Sequence, residues 1–472
     1  MHANIGELPA EATPGGKPFE WLISIPYLLL RAATAAGAIA MGFVQTFVFA
    51  RVLTPERFSI FIVVGAIGYT LWLAELGLPN ILFVNLRGHH LAGRRDDQAA
   101  REATAVILSY GSIAIAASLI CFVVTLAHTS STLVGAFELA LFLLTITFNL
   151  AWTSLRSLSI AVDLFIFYES LDLIRRAVNI ATMVAVLTGL PLVAFLIGSN
   201  VLWAILFAGA AYKLIGRGAL SPQLNGWPHQ LVSFLRSNRD AAARSSTSAL
   251  SGAFIVLFPY YIVPVMFGLG AAPIILEVTF RIFRGACVVF AAICDIAVPG
   301  QTRAFAARNA GRLIRTTVVA AALCGLAAAI ACALLVFAGG PLFTFLLKSA
   351  ATVPHAIVPI LVVLLLAGVL QIVSEALLQY TGFFRSLAYN GGAVVVAMLA
   401  ATVLAFVAGF DLVGFLAVYA AVYAAGALAL TIAAAYGPIR AAALDPGQTQ
   451  PMSGLLKKIR SARRVQSTTP AR

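Results

Sequence analysis

Charge is scarce in this chain. Only 10% of its 472 residues are Asp, Glu, Lys or Arg, against about 25% in soluble domains. With 61% hydrophobic side chains and a mean hydropathy of +0.97, that scarcity excludes a soluble globular protein. Room for a catalytic head is also lacking: at about 20 apolar residues per crossing plus a connection, the length is used up by roughly twelve crossings. Acidic residues are the scarcer sign, 18 against 31 basic ones, for a net charge of +13. In a membrane protein basic residues collect in cytoplasmic connections and meet anionic headgroups, so the excess points to membrane lipids as partners and not to nucleic acid. Cysteine is rare, and Cys121, Cys287, Cys294, Cys324 and Cys332 all fall inside apolar stretches. An odd number without paired ligand spacing reads as small hydrophobic side chains and gives no metal site.

Two further absences bear on function. No Walker lysine motif is present, so ATP-driven transport would need another chain. No catalytic constellation is found either: His89 and His90 are adjacent in a basic loop, without companions at ligand spacing, and read as solvated residues. The chain is therefore expected not to be an enzyme. The first twenty residues carry Glu7, Glu11 and Glu20 against Lys17 alone, the wrong charge for a signal-peptide start; the N-terminus is expected to stay in the cytoplasm.

What is abundant is helix-length apolar sequence. About twelve segments are predicted, near 29–50, 58–83, 104–127, 132–155, 172–190, 192–213, 247–268, 272–297, 316–338, 354–380, 386–409 and 412–436. Threading them with both termini in the cytoplasm leaves only Arg51, Arg57 and Lys348 on the outer face, while the other connection basics, among them Arg87, Arg94, Arg95, Arg156, Arg175, Arg176 and Arg217, share the inner one. That asymmetry supports the orientation. The expected organisation is a cytoplasmic segment 1–28, a six-helix bundle 29–215, a cytoplasmic linker 216–246, a second six-helix bundle 247–437 and a basic tail 438–472. A short echo, Arg31-Ala-Ala-Thr34 and Arg244-Ser-Ser-Thr247, accompanies the division. The fold class is thus an all-α polytopic membrane protein, with about twelve helices in two six-helix bundles around a central cavity.

Polar chemistry inside the membrane concentrates in the eighth segment. At about 100° per residue, Glu277, Arg281, Arg284 and Asp295 share one stripe, which must face protein or a water-filled cavity because an ionised side chain in hydrocarbon costs at least about 2.5–3.5 kcal/mol. Glu277 and Arg281 form either a structural pair or part of a site. Arg284 has no carboxylate one turn away, and a spare guanidinium suits a phosphate-bearing substrate. Glu75 and Glu375 are isolated carboxylates in apolar runs and candidates, with Glu277 and Asp295, for structural pairing or for coupling to an H+ or Na+ gradient; no cofactor is expected. Gln45 suits interhelical hydrogen bonding. Pro259 and Pro264 mark a kink in the seventh segment, a candidate gate or a static bend.

The run from Gly37 to Leu86 resembles the start of polysaccharide flippases of the multidrug/oligosaccharidyl-lipid/polysaccharide exporter superfamily. Ala50, Arg51, Leu53, Pro55, Glu56 and Phe58, followed by Glu75, Leu76, Gly77 and Leu78, match a motif common there. The resemblance implies movement of an undecaprenyl-diphosphate-linked oligosaccharide from the cytoplasmic to the periplasmic leaflet of a bacterial inner membrane. Arg281 and Arg284 would engage the diphosphate, with Arg31 as an entrance contact and Gln45 beside them. Polysaccharide polymerase and glycosyltransferases would be partners. The alternatives are a drug or small-molecule exporter, of the same superfamily or of major-facilitator type, and a non-transporting scaffold in polysaccharide assembly. Against the major-facilitator signature, the loop Gly88 to Arg95 lacks the Asp and the second Gly-Arg element.

Overall fold

A computed structural model describes residues 25–443, apart from 72–74, 76, 92–94, 129–131 and 349. Nearly all of segment 1–28 and of the basic tail lies outside the described residues, as does the side chain of Arg31. No strand occurs among the described residues. The helices are α1 (Ile25–Val52), α2 (Pro55–Leu71), α3 (Leu78–Leu91), α4 (Asp97–His128), α5 (Leu133–Thr147), α6 (Asn149–Ala161), α7 (Phe165–Val186), α8 (Leu192–Gly216), α9 (Trp227–Ser237), α10 (Arg239–Phe267), α11 (Ala271–Ala306), α12 (Ala310–Leu347), α13 (Ile357–Tyr380), α14 (Phe384–Val407), α15 (Leu412–Ala434) and, after a π turn at Ala435–Ile439, α16 (Arg440–Ala443). Each of the twelve expected segments falls on helix, and nine stretches are long and apolar enough to cross a membrane among the described residues. α7 and α11 are not among the nine. They carry Glu169, Asp172, Arg175 and Glu277, which are buried.

Two expected segments differ in detail. The second is split between α2 and α3, because Gly77 takes a left-handed φ of 68° and Pro79 supplies no N–H at the start of α3. The fourth runs on as Leu133–Ala161, with only a one-residue turn at Phe148 between α5 and α6, where the backbone stays right-handed helical and the Phe148 N–H reaches the Leu144 carbonyl at 2.9 Å. A third difference lies in the expected linker, which contains α9. Leu231, Phe234 and Leu235 recur on one side of that helix and pack into the cluster around Trp152 and Trp203, so its few apolar residues are placed to be buried despite a polar composition.

The chain packs as two compact units. The first comprises residues 1–285, 334–361 and 395–419, and the second 286–333, 362–394 and 420–472, so α11 to α15 each contribute to both. In the first unit α1 lies along α7, α2 and α4 flank α5, and α10 meets α2. The approach of α1 to α7 is close: a Cβ on Gly37 would stand 3.2 Å from Cδ of Arg176. In the second unit Phe290, Cys294, Cys324 and Val373 form one core and Leu313, Leu377, Leu387 and Leu430 another. Exposed apolar rows such as Leu119, Ile120 and Val123 on α4, or Leu326, Leu334 and Phe337 on α12, suit contact with lipid.

The turn that carries the sequence resemblance is built as follows. Thr54 caps α2 by accepting from the Arg57 N–H at 3.3 Å, and Pro55 occupies the first helical position, where no donor is missed. Arg51 donates to the carbonyls of Leu346 at 3.1 Å and Phe345 at 2.6 Å. Both carbonyls lie in the last turn of α12, where a helix has acceptors free for side-chain donors. Arg57 pairs with Glu138 of α5. The motif's arginine thus secures a helix end.

Candidate functional site

Within the first unit, α1, α2, α5, α10 and α11 line a small cavity of about 40 Å³. Its wall is aromatic, with Phe49, Phe58, Phe61, Tyr69, Phe142 and Tyr260, and its polar side is Gln45, Thr46, Glu277, Arg281 and Arg284. Phe49, Phe61 and Phe142 pack edge to face or tilted at centroid distances of 5.0–5.8 Å, which holds the wall against the charged side.

The carboxylate of Glu277 is the hub. Its Oε1 accepts from Arg281 Nε at 2.6 Å and from Arg281 Nη2; its Oε2 accepts from Tyr260 Oη at 2.7 Å and from Arg284 Nη2 at 3.1 Å. Arg284 is therefore not spare, which corrects the expectation from its spacing. It lies seven residues from Glu277 and spans two turns to reach the same carboxylate. Arg281 also donates to the Gly42 carbonyl on α1 and stands 3.5 Å from Gln45 Oε1. Gly42 makes this approach possible, since a Cβ there would sit 3.2 Å from Arg281 Nη1. The Arg284 guanidinium lies over Tyr69 and Tyr260, 5.5 and 5.4 Å from the ring centroids.

Two guanidiniums around one carboxylate leave a net charge of +1. Glu277 is 6% exposed at its side chain, while Arg281 and Arg284 keep 16% and 28%, so the exposed part of the cluster is its cationic part. With four donors on its two oxygens, Glu277 has the bonding of a structural counter-ion.

The other candidates lie elsewhere. Glu75 sits in the connection between α2 and α3 instead of mid-helix, its backbone carbonyl accepting from Tyr110 Oη at 2.7 Å; it does not line the cavity. Asp295 and Glu375 belong to the second unit, Asp295 exposed and Glu375 half-buried. Pro259 and Pro264 both lie inside α10, which runs on through them.

Sequence reasoning missed a second buried charge cluster, in the same unit. Asp172 accepts from Arg175 Nη2 at 2.7 Å, Arg176 Nε at 2.7 Å and Trp152 Nε1 at 2.9 Å. Arg175 lies 4.1 Å over the Trp203 ring, and Arg156 donates to Glu169 at 3.1 Å. Arg156, Arg175 and Arg176, expected among the basic residues of the inner-face connections, stand inside α6 and α7. The signal was present in the spacing of Glu169, Asp172, Arg175 and Arg176, three and four residues apart on one helical face.

No family model and no curated protein sequence matches the chain. Solved structures do. An inward-facing multidrug resistance MATE family transporter of the MOP superfamily is 14% identical over 88% of this chain and 98% of its own, with a TM-score of 0.63. An outward-facing one is 15% identical over 88% and 96%, with a TM-score of 0.58. A MOP superfamily transporter from Pyrococcus furiosus, described as having a binding pocket of reverse polarity that suggests a different function, is 14% identical over 89% and 94%, with a TM-score of 0.58. The chain has the all-α, multi-pass membrane fold of these transporters.

Proposed function

We propose that this protein is a flippase that moves an undecaprenyl-diphosphate-linked oligosaccharide across a bacterial inner membrane by alternating access, with both termini and the linker 216–246 in the cytoplasm. The observation that carries the reading is the net positive cluster of Arg281 and Arg284 at the cavity, held by a carboxylate whose bonds are all used. A diphosphate is the chemistry such a cluster fits. Guanidinium donors match phosphate oxygens in pairs, and their partly exposed edges can meet a ligand without breaking the Glu277 pairs. The description of the P. furiosus transporter supports treating pocket polarity as the feature that separates functions on this fold. The aromatic wall supplies apolar surface for the faces of sugar rings, and Gln45 and Thr46 supply hydrogen bonds.

The second reading is a drug exporter, favoured by the description of two similar structures as multidrug resistance transporters. Complementation of a deletion strain separates the two. Wild type, Arg284→Lys, Arg284→Ala and Arg281→Ala are compared at equal expression, and lipid-linked oligosaccharide is measured in each leaflet together with surface polysaccharide. The flippase reading expects loss of polymer and intermediates trapped on the cytoplasmic side in the deletion and in the alanine variants, with Arg284→Lys in between. Normal polymer with altered drug sensitivity in the deletion strain transfers the assignment to the exporter.

A further inference from the structure

Apart from the aromatic cavity, the first unit has a second pocket of about 240 Å³, lined by Leu86, His89, His90, Arg95, Asp96, Val162, Arg217 and Gly218. Its lining comes from the C-terminal end of α3, from Arg95 and Asp96 just before α4, from Val162 after α6 and from Arg217 and Gly218 after α8. The pocket is smaller than the usual ligand site of roughly 300–1,000 Å³ and of a size for a headgroup or a small anion.

The acids around it are already occupied. Asp96 caps α4, its Oδ1 accepting from the N–H groups of Gln98 at 2.9 Å and Ala99 at 3.2 Å, while its Oδ2 lies 3.0 Å from His89 Nε2. Asp163 accepts from Arg87 Nη1 at 2.7 Å and lies 3.1 Å from His90 Nε2. The two arginines of the lining are left over. Arg95 makes one long contact, Nη2 to the Gly216 carbonyl at 3.4 Å, and a guanidinium has five donors. Arg217 has no side-chain partner among the described residues. Gly218, at a left-handed φ of 72°, lets the stem of Arg95 lie alongside, because a Cβ there would meet Arg95 Cδ at 3.3 Å.

The pocket is thus lined by two guanidiniums with donors to spare, beside two imidazoles already set against Asp96 and Asp163. We infer that it binds a phosphate or diphosphate group, from a lipid headgroup or from a soluble phosphate, through Arg95 and Arg217. Paired donor forks suit the planar edges of phosphate oxygens, and the occupied carboxylates do not compete for them. This inference does not rest on the flippase reading, since its residues and its pocket are separate from Arg281 and Arg284.

Binding is tested on the purified full chain in two arms. In uncharged detergent, inorganic pyrophosphate is titrated by calorimetry. After reconstitution in nanodiscs of mixed phosphatidylcholine and phosphatidylglycerol, retained phosphatidylglycerol is read by native mass spectrometry. Wild type is compared with Arg95→Gln/Arg217→Gln, with Arg284→Ala and with Arg385→Gln, an exposed arginine of the second unit. The expected result is binding in at least one arm that weakens at least tenfold in the double variant and is kept in Arg385→Gln, while Arg284→Ala reports any separate binding at the cavity. Pyrophosphate binding supports a soluble source and phosphatidylglycerol retention a lipid one. The inference is overturned if neither probe binds wild type, if the double variant binds like wild type, or if the signal is lost only in Arg284→Ala.

Discussion

The hydroxyl of Tyr419 on α15 donates to the backbone carbonyl of Ile255 on α10 at 2.9 Å. Ile255 is four residues before Pro259, whose ring nitrogen cannot return the helical hydrogen bond to that carbonyl. Both partners are buried, Ile255 at 6% and Tyr419 at 3% exposure, so the carbonyl would otherwise be orphaned where no water reaches it. A proline inside a membrane helix is tolerated where a neighbour satisfies the freed group. Here that neighbour is a single phenol.

Tyr419→Phe should therefore destabilise the protein by about 1–3 kcal/mol, the usual cost of leaving a buried acceptor unpaired. In the Pro259→Ala background, where residue 259 regains its N–H, the same substitution should cost distinctly less. Thermal unfolding of the four proteins in one detergent gives the cycle, and equal costs in both backgrounds would show that Tyr419 does not serve the proline.

Gly68 fixes how closely α2 can approach α5. A Cβ on it would stand 2.7 Å from Ile146 Cγ2 and 3.2 Å from Leu143 Cδ1, in a wall that also lines the charged cavity through Gly65 and Ile146. Gly68→Ala is expected to cost about 1–3 kcal/mol by overpacking. Gly111→Ala, with open space around its position, is the control and should be close to neutral. Unfolding midpoints that rank these two in reverse order would contradict the tight α2–α5 contact.

The charged stripe on α11 was legible because 3.6-residue periodicity alone brings Glu277, Arg281 and Arg284 to one face. The sequence left Arg284 unpaired only because it was compared with carboxylates one turn away; a seven-residue step rises about 10 Å, and the long arginine side chain covers it. The rest of the cavity was out of reach. Phe49, Phe61, Tyr69 and Phe142 read as ordinary apolar residues of three different helices, and nothing in their local spacing says that they face one another. Glu75 and the α2–α3 break show the opposite case: Gly77 and Pro79 carried the signal, but the continuous apolar run around them masked it. Arg175 reads as a loop charge from its place at the edge of an apolar segment, yet it pairs with Asp172 one turn earlier on the same helix.

Asp163 gives a pH prediction outside the membrane-spanning segments. Partial burial raises its pKa, but the hydrogen bonds and charges of Arg87 and His90 outweigh that and hold the carboxyl below its ordinary value. The unfolded chain then binds more protons, so the contribution to stability is present above the unfolded value near 3.9 and is lost as pH falls through the lower folded value. Asp163→Asn removes this contribution while suiting the left-handed φ of 59° at this position. The melting temperatures of wild type and variant, followed from pH 6 to pH 3, should differ most at the upper end and converge below about pH 4. A gap that stays constant over that range would mean that Asp163 contributes by its backbone conformation and not by its charge.

Glu277 is expected to be the most sensitive position of the cavity, because one carboxylate neutralises half of a buried cationic pair. Glu277→Gln keeps the shape but removes the charge that Arg281 and Arg284 both face, and breaking a buried ion pair from one side costs about 3–5 kcal/mol. The loss comes mainly from the uncompensated cations, so removing one of them as well should return part of it. Glu277→Gln/Arg281→Gln should therefore unfold at a higher temperature than Glu277→Gln alone, although it carries one more substitution. Arg281 also holds the Gly42 carbonyl, so the recovery should stop short of wild type. If the double variant is instead less stable than Glu277→Gln, Arg281 contributes through its contact with α1 more than through its charge, and the net +1 assigned to the cavity would no longer explain why Glu277 is there.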